Sequence, residues 1–440
     1  MFIFVLNMER KVYKKLLDWQ KTRKRKPLLL QGARQVGKTY LLKEFGKKEY
    51  SKVFYLNFES DKRLDSLFKT SIEPAAIISK LRIFFNEDFD INTTLLIFDE
   101  IQSSERALSS LKYFNEDANE YHIAAAGSLL GIVMNRKEYS FPVGQTQMQH
   151  VYPMDFEEFL MAVGKSKLIP EIRTCFENDA FCSFHEMALS LFHDYLITGG
   201  MPEVVAEFVK NNDHLKAADI QQQILDSYIA DMAKYATPEE VSKIIASYNS
   251  LPAQLAKENR KFQYKVVQKG GYAGIFGAAI DWLSSAGLVY KCNRITVPNE
   301  PLAAYSDMTG FKLYMNDPGL LVQKSGMPLR EILLEGKHTS SFIGPIVENY
   351  VASSFQSQGI PLYYWESGNT AEIDFLIQGK TGVVPIEVKA STNTRSRSID
   401  VFRKKYNSSI IIRLSEKNFG FDNQIKSIPL YAAFCIDREL

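Results

Sequence analysis

Leu28-Leu29-Leu30-Gln31-Gly32-Ala33-Arg34-Gln35-Val36-Gly37-Lys38-Thr39 decides how the chain is read. An apolar run leads into Gly-x-x-x-x-Gly-Lys-Thr, and the amphipathic Tyr40-Leu41-Leu42-Lys43-Glu44-Phe45 follows. That order predicts a buried strand, a tight loop and the first turns of a helix. In this context the pattern reads as a nucleotide-phosphate cradle, a Walker A loop. Gly32 and Gly37 let the backbone N–H groups of residues 32 to 37 point inward at phosphate oxygens. Lys38 brings positive charge to the terminal phosphates, and the Thr39 hydroxyl is placed to ligate Mg²⁺. The helix that starts at Lys38 and Thr39 aims its positive dipole end at the same anion.

Working outward, strands and helices alternate. Val53–Phe58, Thr94–Phe98 and His122–Ala126 read as strands, and Pro74–Phe85 and Arg106–Phe114 as helices. Alternation of this kind predicts a parallel sheet with helices on both faces. In such sheets the ligand lies at the carboxyl ends of the strands, where Gly32, Asp99 and Gly127 all fall. Leu95-Leu96-Ile97-Phe98-Asp99-Glu100 is an apolar strand ending in two acids, a Walker B pattern. Asp99 is placed to hold the Mg²⁺ shell opposite Thr39. Glu100 is placed to polarise an attacking water. The acid pair favours hydrolysis by water over a small-molecule kinase. Ser128, after the next strand, puts a hydroxyl near the terminal phosphate, and Gln102 and Ser128 can both orient water. Arg34, Arg106 and Arg136 are the candidates for meeting developing phosphate charge, in this chain or a neighbouring subunit.

Composition sets limits on the rest. The chain has 440 residues, a length that implies two or three domains. A formal net charge of +2 gives no whole-molecule basic field, so any nucleic-acid site must be local. Cys175, Cys182, Cys292 and Cys435 form no CxxC pair, which argues against zinc and disulfides and fits the cytoplasm. The apolar start Met1–Leu6 is too short for a signal peptide, and a helix pattern begins just after Met8. No segment approaches the roughly 18 uncharged apolar residues of a membrane span. The six histidines make no HxxxH pairing, and there is no Gly-x-Ser-x-Gly elbow.

Beyond the sheet, Gln147–Val151 reads as a last strand, and Asp155 as the cap of a helix that turns Phe156 and Phe159 inward. Residues 170–236 read as helical, broken by the turn Thr198-Gly199-Gly200-Met201-Pro202. Three helical stretches between 241 and 286, then a strand over Gly287–Ile295, suggest a winged-helix unit. Such units either read DNA or serve as packing modules. After Asp317-Pro318-Gly319, a helix over Gly344–Gln356 carries Glu348. Strands over 362–366, 371–377 and 383–389 follow, with Asp374, Glu387 and Lys389 on the last two.

Several motifs together resemble the AAA-type ATPases of bacteria and archaea. They are the phosphate loop, Asp99-Glu100-Ile101-Gln102, Leu111–Phe114, Gly127–Gly131, Phe141-Pro142-Val143-Gly144 and Tyr152–Phe159. Tyr195–Glu203 and Gly344–Asn349 narrow the resemblance to the subfamily with a C-terminal domain of unknown function. The resemblance implies an additional-strand-type P-loop sheet, a helical and winged-helix middle, and a C-terminal α/β restriction-endonuclease-like fold. It divides the chain into an ATPase domain over 1–165, a helical region over 166–236, a winged-helix-like region over 237–305 and a nuclease-like domain over 306–440. The family often has a basic residue after Phe-Pro-Val-Gly. Here that position is Gln145, so cationic help for phosphate must come from elsewhere.

Asp374, Glu387-x-Lys389 and Glu348 resemble the PD-(D/E)xK nuclease core. Asp374 and Glu387, on neighbouring strands, can hold Mg²⁺. Lys389 faces the same side as Glu387 and can help deprotonate a water. Glu348 would add a ligand, and Glu372 can share its role. The bland alternative is a buried ion-pair network. The expected protein is therefore an ATPase that binds ATP and Mg²⁺, acts with an unknown protein partner or as a homo-oligomer, and stays off membranes. The alternatives are an ATP-gated metal-dependent nuclease and a non-catalytic nucleotide switch that contacts DNA through the winged-helix and nuclease-like regions.

Overall fold

The computed structural model describes residues 8–128, 130–133, 142, 144–328, 342–368, 371–380, 382–392, 397–406, 408 and 410–437. The chain divides into two compact units, one spanning Glu9–Tyr152 with Ser285–Gly287, the other taking the rest from Pro153 onward.

The first unit is built on five strands: β1 Leu28–Gln31, β2 Lys52–Asn57, β3 Thr94–Asp99, β4 His122–Gly127 and β5 Gln147–His150. Their order is β2-β3-β4-β1-β5, and every neighbouring pair is parallel. The two acids' strand β3 is thus separated from the loop-bearing β1 by β4, the inserted strand that the resemblance implies. All residues of β3 and β4 are buried. They read as continuous apolar runs because helices cover both faces, as a parallel sheet requires. The helices Lys62–Leu67 and Pro74–Phe85 follow β2. An aromatic cluster forms on that side, with Phe58 edge-on to Phe68 and Phe98 at 5.5 and 5.7 Å. Each phenylalanine so buried stabilises the unit by about 1.5–3 kcal/mol.

The helix Phe156–Ala162 opens the second unit. Asp155 caps it: its Oδ1 accepts the Glu158 N–H at 2.9 Å, and Glu158 reaches back to the Asp155 N–H. Phe156 packs on Tyr195 at 5.6 Å, and Phe159 lies over Phe208 at 6.1 Å. This helix therefore belongs with the helices His185–Thr198 and Pro202–Asn211, and the division at Tyr152 differs from the expected one at 165.

Two sheets complete this unit. In the first, β6 Val289–Ile295 pairs antiparallel with β7 Ser306–Met315 and parallel with β8 Tyr363–Ser367, and β8 pairs with β9 Ala371–Ile373. The strand expected as a wing is thus shared with later strands, and a boundary at 305 would cut a paired hairpin. β7 itself was not among the expected strands. The second sheet holds β10 Phe375–Gly379, β11 Gly382–Val388, β12 Ile411–Ser415, β13 Gly420–Asp422 and β14 Ile425–Pro429, in the order β10-β11-β12-β14-β13. The helix Ile343–Ser357 precedes these strands, and Arg397–Lys405 connects the parallel pair β11 and β12. The C-terminal part is a mixed α/β domain.

Gly200 and Asp317 join its parts. A Cβ at Gly200 would lie 1.8 Å from the Met154 carbonyl oxygen, so only glycine fits. The Gly200 N–H donates to Asp317 Oδ2 at 2.6 Å, and Oδ1 accepts the Leu320 N–H at 2.9 Å. Burial pushes the Asp317 carboxyl up to about 6, against the pull of these N–H groups. The folded chain thus holds this proton more tightly than the unfolded one, where aspartate ionises near about 3.9. The stabilisation is complete below the unfolded value and is lost as pH rises through about 6. In urea titrations at a series of pH values, the stability of wild type relative to Asp317→Asn should fall by about 2–3 kcal/mol between pH about 4 and about 7.5. A constant difference would show that Asp317 does not titrate in this way.

Candidate nucleotide-binding site

Strand register sets out the site in one row. Asp99 lies beside Ala126 of β4, and Leu30 beside the same residue from the other side. Glu100, Ser128 and Gly32 are therefore the first residues past three neighbouring strand ends. Gly32 leaves β1 with no room for a side chain, since a Cβ would meet the Val151 carbonyl oxygen at 2.1 Å. Gln35 and Gly37 take left-handed backbone, φ +66° and +90°, which turns the loop into the helix Lys38–Glu49. Arg10 braces the loop from behind, donating to the carbonyls of Val36 at 3.0 Å and Tyr152 at 2.6 Å.

Lys38 is buried, and its Nζ donates to the carbonyls of Gly32 at 2.9 Å and Ala33 at 2.7 Å. The ammonium is held beneath the loop's own arch. Thr39 Oγ1 donates to Asp99, 3.1 Å from Oδ1 and 3.0 Å from Oδ2. Tyr55 Oη donates to Asp99 Oδ2 at 2.5 Å, and Asn57 Nδ2 donates to Tyr55 Oη at 3.2 Å. Burial pushes the Tyr55 phenol up to about 12.

Glu100 sits in left-handed backbone, φ +50°, at the strand's end. Its Oε2 accepts from Gln102 Nε2 at 2.5 Å. Burial raises its carboxyl above the usual range, and the Asp99 charge adds to this against the Gln102 hydrogen bond. The same Gln102 reaches Gly127, where a Cβ would stand 2.5 Å from its Oε1. Ser128 is buried just past β4.

The expected residues Gly32 to Thr39, Asp99, Glu100 and Ser128 thus fall along one sheet edge. Arg106 is exposed on the helix Glu105–Asp117, and Arg136 lies outside the described residues. Gln145 bonds Asn115 and Glu116 of that same helix. Sequence reasoning missed Tyr55 and Arg10; the alternation of β2 hinted at Tyr55, two residues before Asn57 on the same face.

These groups match what a nucleotide with Mg²⁺ demands: an ammonium and a 12-residue helix N-terminus for phosphate, and adjacent hydroxyl and carboxylate oxygens for a hard cation. Residues 24–160 match the family model described as AAA domain. The chain carries an AAA domain of P-loop type. Two further models, both domains of unknown function (DUF8612 and DUF4143), match residues 189–331 and 343–433. No curated protein matches the chain. Among solved structures it is similar to the Walker-type ATPase PABY2304 of Pyrococcus abyssi, with 14% identity over 72% of this chain and 95% of that one, TM-score 0.44. It is also similar to the ORC2 protein of Aeropyrum pernix, with 12% identity over 75% and 93%, TM-score 0.33. A third is the RuvB Holliday junction branch migration motor of Thermotoga maritima, with 15% identity over 63% and 87%, TM-score 0.31. At these values the structural likenesses carry no functional weight. No helix among the described residues is long and apolar enough to cross a membrane.

Outside the AAA domain, the C-terminal acids have a different setting. Phe375 pairs with Ile386 across β10 and β11, which sets Asp374 beside Glu387. Asp374 Oδ2 accepts the Val388 N–H at 2.8 Å. Glu387 pairs with Lys389 at 3.0 Å and with Arg413 at 3.8 Å. Glu348 is fully buried and is bound by Lys312 at 2.9 Å, by Arg260 and by the Tyr314 hydroxyl. Lys312, itself fully buried, also holds Glu372 at 2.5 Å. Glu348, Glu372 and Glu387 are thus paired with Arg260, Lys312, Lys389 and Arg413, while Asp374 is held by a backbone N–H. Among the described residues no three His, Cys, Asp or Glu side chains group as a metal cage. The expected second metal site drew on Glu348, Asp374, Glu387 and Lys389. Asp374, Glu387 and Lys389 come together, but Glu348 is taken up by cations that the motif did not include. Lys312→Met should destabilise the chain by about 3 kcal/mol in urea unfolding, because buried carboxylates lose their counter-charge. Adding Glu348→Gln should recover part of the loss, and a neutral single variant would remove Lys312 as the centre of the network.

Proposed function

We propose that this chain binds MgATP and hydrolyses it with water. The observation that carries the reading is the Thr39 hydroxyl resting on both oxygens of Asp99, one residue before Glu100. In this reading the N–H groups of residues 32 to 37 and the Lys38 ammonium bind the phosphates, and Lys38 exchanges its two carbonyl partners for phosphate oxygens. Thr39 and Asp99 hold Mg²⁺, which when bound neutralises charge on the phosphate oxygens. Glu100 accepts the proton of the attacking water as oxygen bonds to the terminal phosphorus and the bond to the leaving ADP breaks. Burial makes Glu100 the stronger base for that step. Gln102 and Ser128 orient the water, and Gln102 holds Glu100 until the water arrives.

Within the second unit, the helices before β6 support a winged-helix-like reading. The order of helix, strands, crossover helix and strand after residue 343 supports a nuclease-like one. DNA contact, self-association and a cytoplasmic site of action belong to this proposal too. A second reading, an ATP-controlled metal-dependent nuclease, is favoured by the adjacency of Asp374 and Glu387 with Lys389 just past the end of β11. The charge matching around Glu348 weighs against it.

Titration with a fluorescent ATP analogue and a phosphate-release assay test the first reading. Lys38→Ala should lose nucleotide binding, and unchanged affinity would sink the assignment. Glu100→Gln should keep binding and lose turnover by about 10²–10⁴-fold, whereas a wild type without turnover would point to a switch. For the second reading, plasmid nicking with Mn²⁺ should be present in wild type and vanish in Lys389→Ala; no nicking in wild type would end it.

A further inference from the structure

We propose that Tyr55 is the positioning residue for Asp99, and that its hydroxyl sets how tightly the site takes Mg²⁺. This rests on the MgATP reading above. Tyr55 stands opposite Ile97 in the β2–β3 ladder, so Asp99 is its diagonal neighbour, two residues on and on the same face. A diagonal neighbour is too far for a short side chain but within reach of an aromatic one. The phenol spans the gap and donates to Oδ2 at 2.5 Å, a distance typical of a hydroxyl on a charged acceptor.

The surroundings fix where that hydroxyl points. Asn57 Nδ2 donates to it at 3.2 Å, filling its acceptor side and leaving its own proton for Asp99. Asn57 Oδ1 in turn accepts the N–H groups of Glu59 at 3.1 Å and Ser60 at 2.8 Å, so the amide is anchored to the turn after β2. The Lys43 ammonium lies 3.8 Å from the Tyr55 ring centroid. Lys43 is four residues after Thr39 on one helix, so both face the same way. The helix that delivers the Thr39 hydroxyl to Asp99 therefore also presses on the ring that orients it.

An ionised carboxylate offers about four acceptor positions on its two oxygens. Tyr55 takes one on Oδ2 and stops the carboxylate from rotating. The Oδ1 side and Thr39 Oγ1 are then a fixed pair of oxygens. Outer partners of this kind typically change metal affinity by about 10–100-fold when removed.

The test is a nucleotide titration of the full chain with a fluorescent ATP analogue, across Mg²⁺ concentrations and in excess EDTA. Tyr55→Phe should raise the Mg²⁺ concentration for half-maximal effect by about tenfold and leave the EDTA affinity within about twofold of wild type. Tyr55→Met, which keeps apolar bulk but also lacks the hydroxyl, should give the same shift, and thermal melting checks that both variants fold. Asp99→Asn should abolish the Mg²⁺ effect. An unchanged or lowered Mg²⁺ midpoint in Tyr55→Phe would overturn the proposal, as would an equal loss of affinity in EDTA, which marks a merely structural role. If wild type shows no Mg²⁺ effect at all, the MgATP reading itself fails, and the Tyr55 proposal with it.

Discussion

The hydrogen bond from Thr39 to Asp99 organises the first unit. It ties the helix that starts at the phosphate loop to the end of β3, although β4 lies between β1 and β3. That span works only if β4 adds little bulk where the loop and the acids meet. Its last residues, Ala124-Ala125-Ala126-Gly127, are the smallest available, and all are buried. Gly127 has a second constraint: a Cβ there would overlap Gln102 Oε1 and the Leu130 side chain. The small residues of β4 thus let the loop, Asp99 and the Gln102–Glu100 pair share one sheet edge.

The local signals were legible in the sequence. Gly32, Gly37, Lys38 and Thr39 are contiguous, and their chemistry follows from spacing alone. The apolar runs of β3 and β4 marked a two-sided sheet, and Asp99-Glu100 marked its ligand end. Asp155 and Pro74 announced helix starts that the structure places where they were read.

What the sequence did not reveal depends on pairing between distant segments. Tyr55 looks like any strand aromatic until the β2–β3 register sets it diagonal to Asp99. Lys312, between Phe311 and Leu313, looks like the solvent-facing position of an alternating strand. Its side chain is fully buried because Glu348, 36 residues later, supplies the counter-charge. The start of the helix at Phe156 falls within the AAA match over 24–160. Its ring contacts are with Tyr195 and Phe208, and motif continuity in sequence does not fix which core a side chain enters.

Charge balance separates the two acid clusters more sharply than their motifs do. The hydrogen bonds described at Asp99 come from neutral donors, the hydroxyls of Thr39 and Tyr55 and the Asn57 amide. Glu100 is held by the neutral Gln102 amide. Neutral donors orient a carboxylate without cancelling its charge, so the attraction for a divalent cation remains. Around Glu348 two of the three donors, Lys312 and Arg260, are cations, and a buried metal would have to displace an ammonium or guanidinium or add uncompensated positive charge. At the low effective dielectric of an interior, excess charge of that kind is costly. Two sets of carboxylates that look equally suited to Mg²⁺ in sequence therefore differ in the one property that decides cation binding, the charge of the groups that hold them.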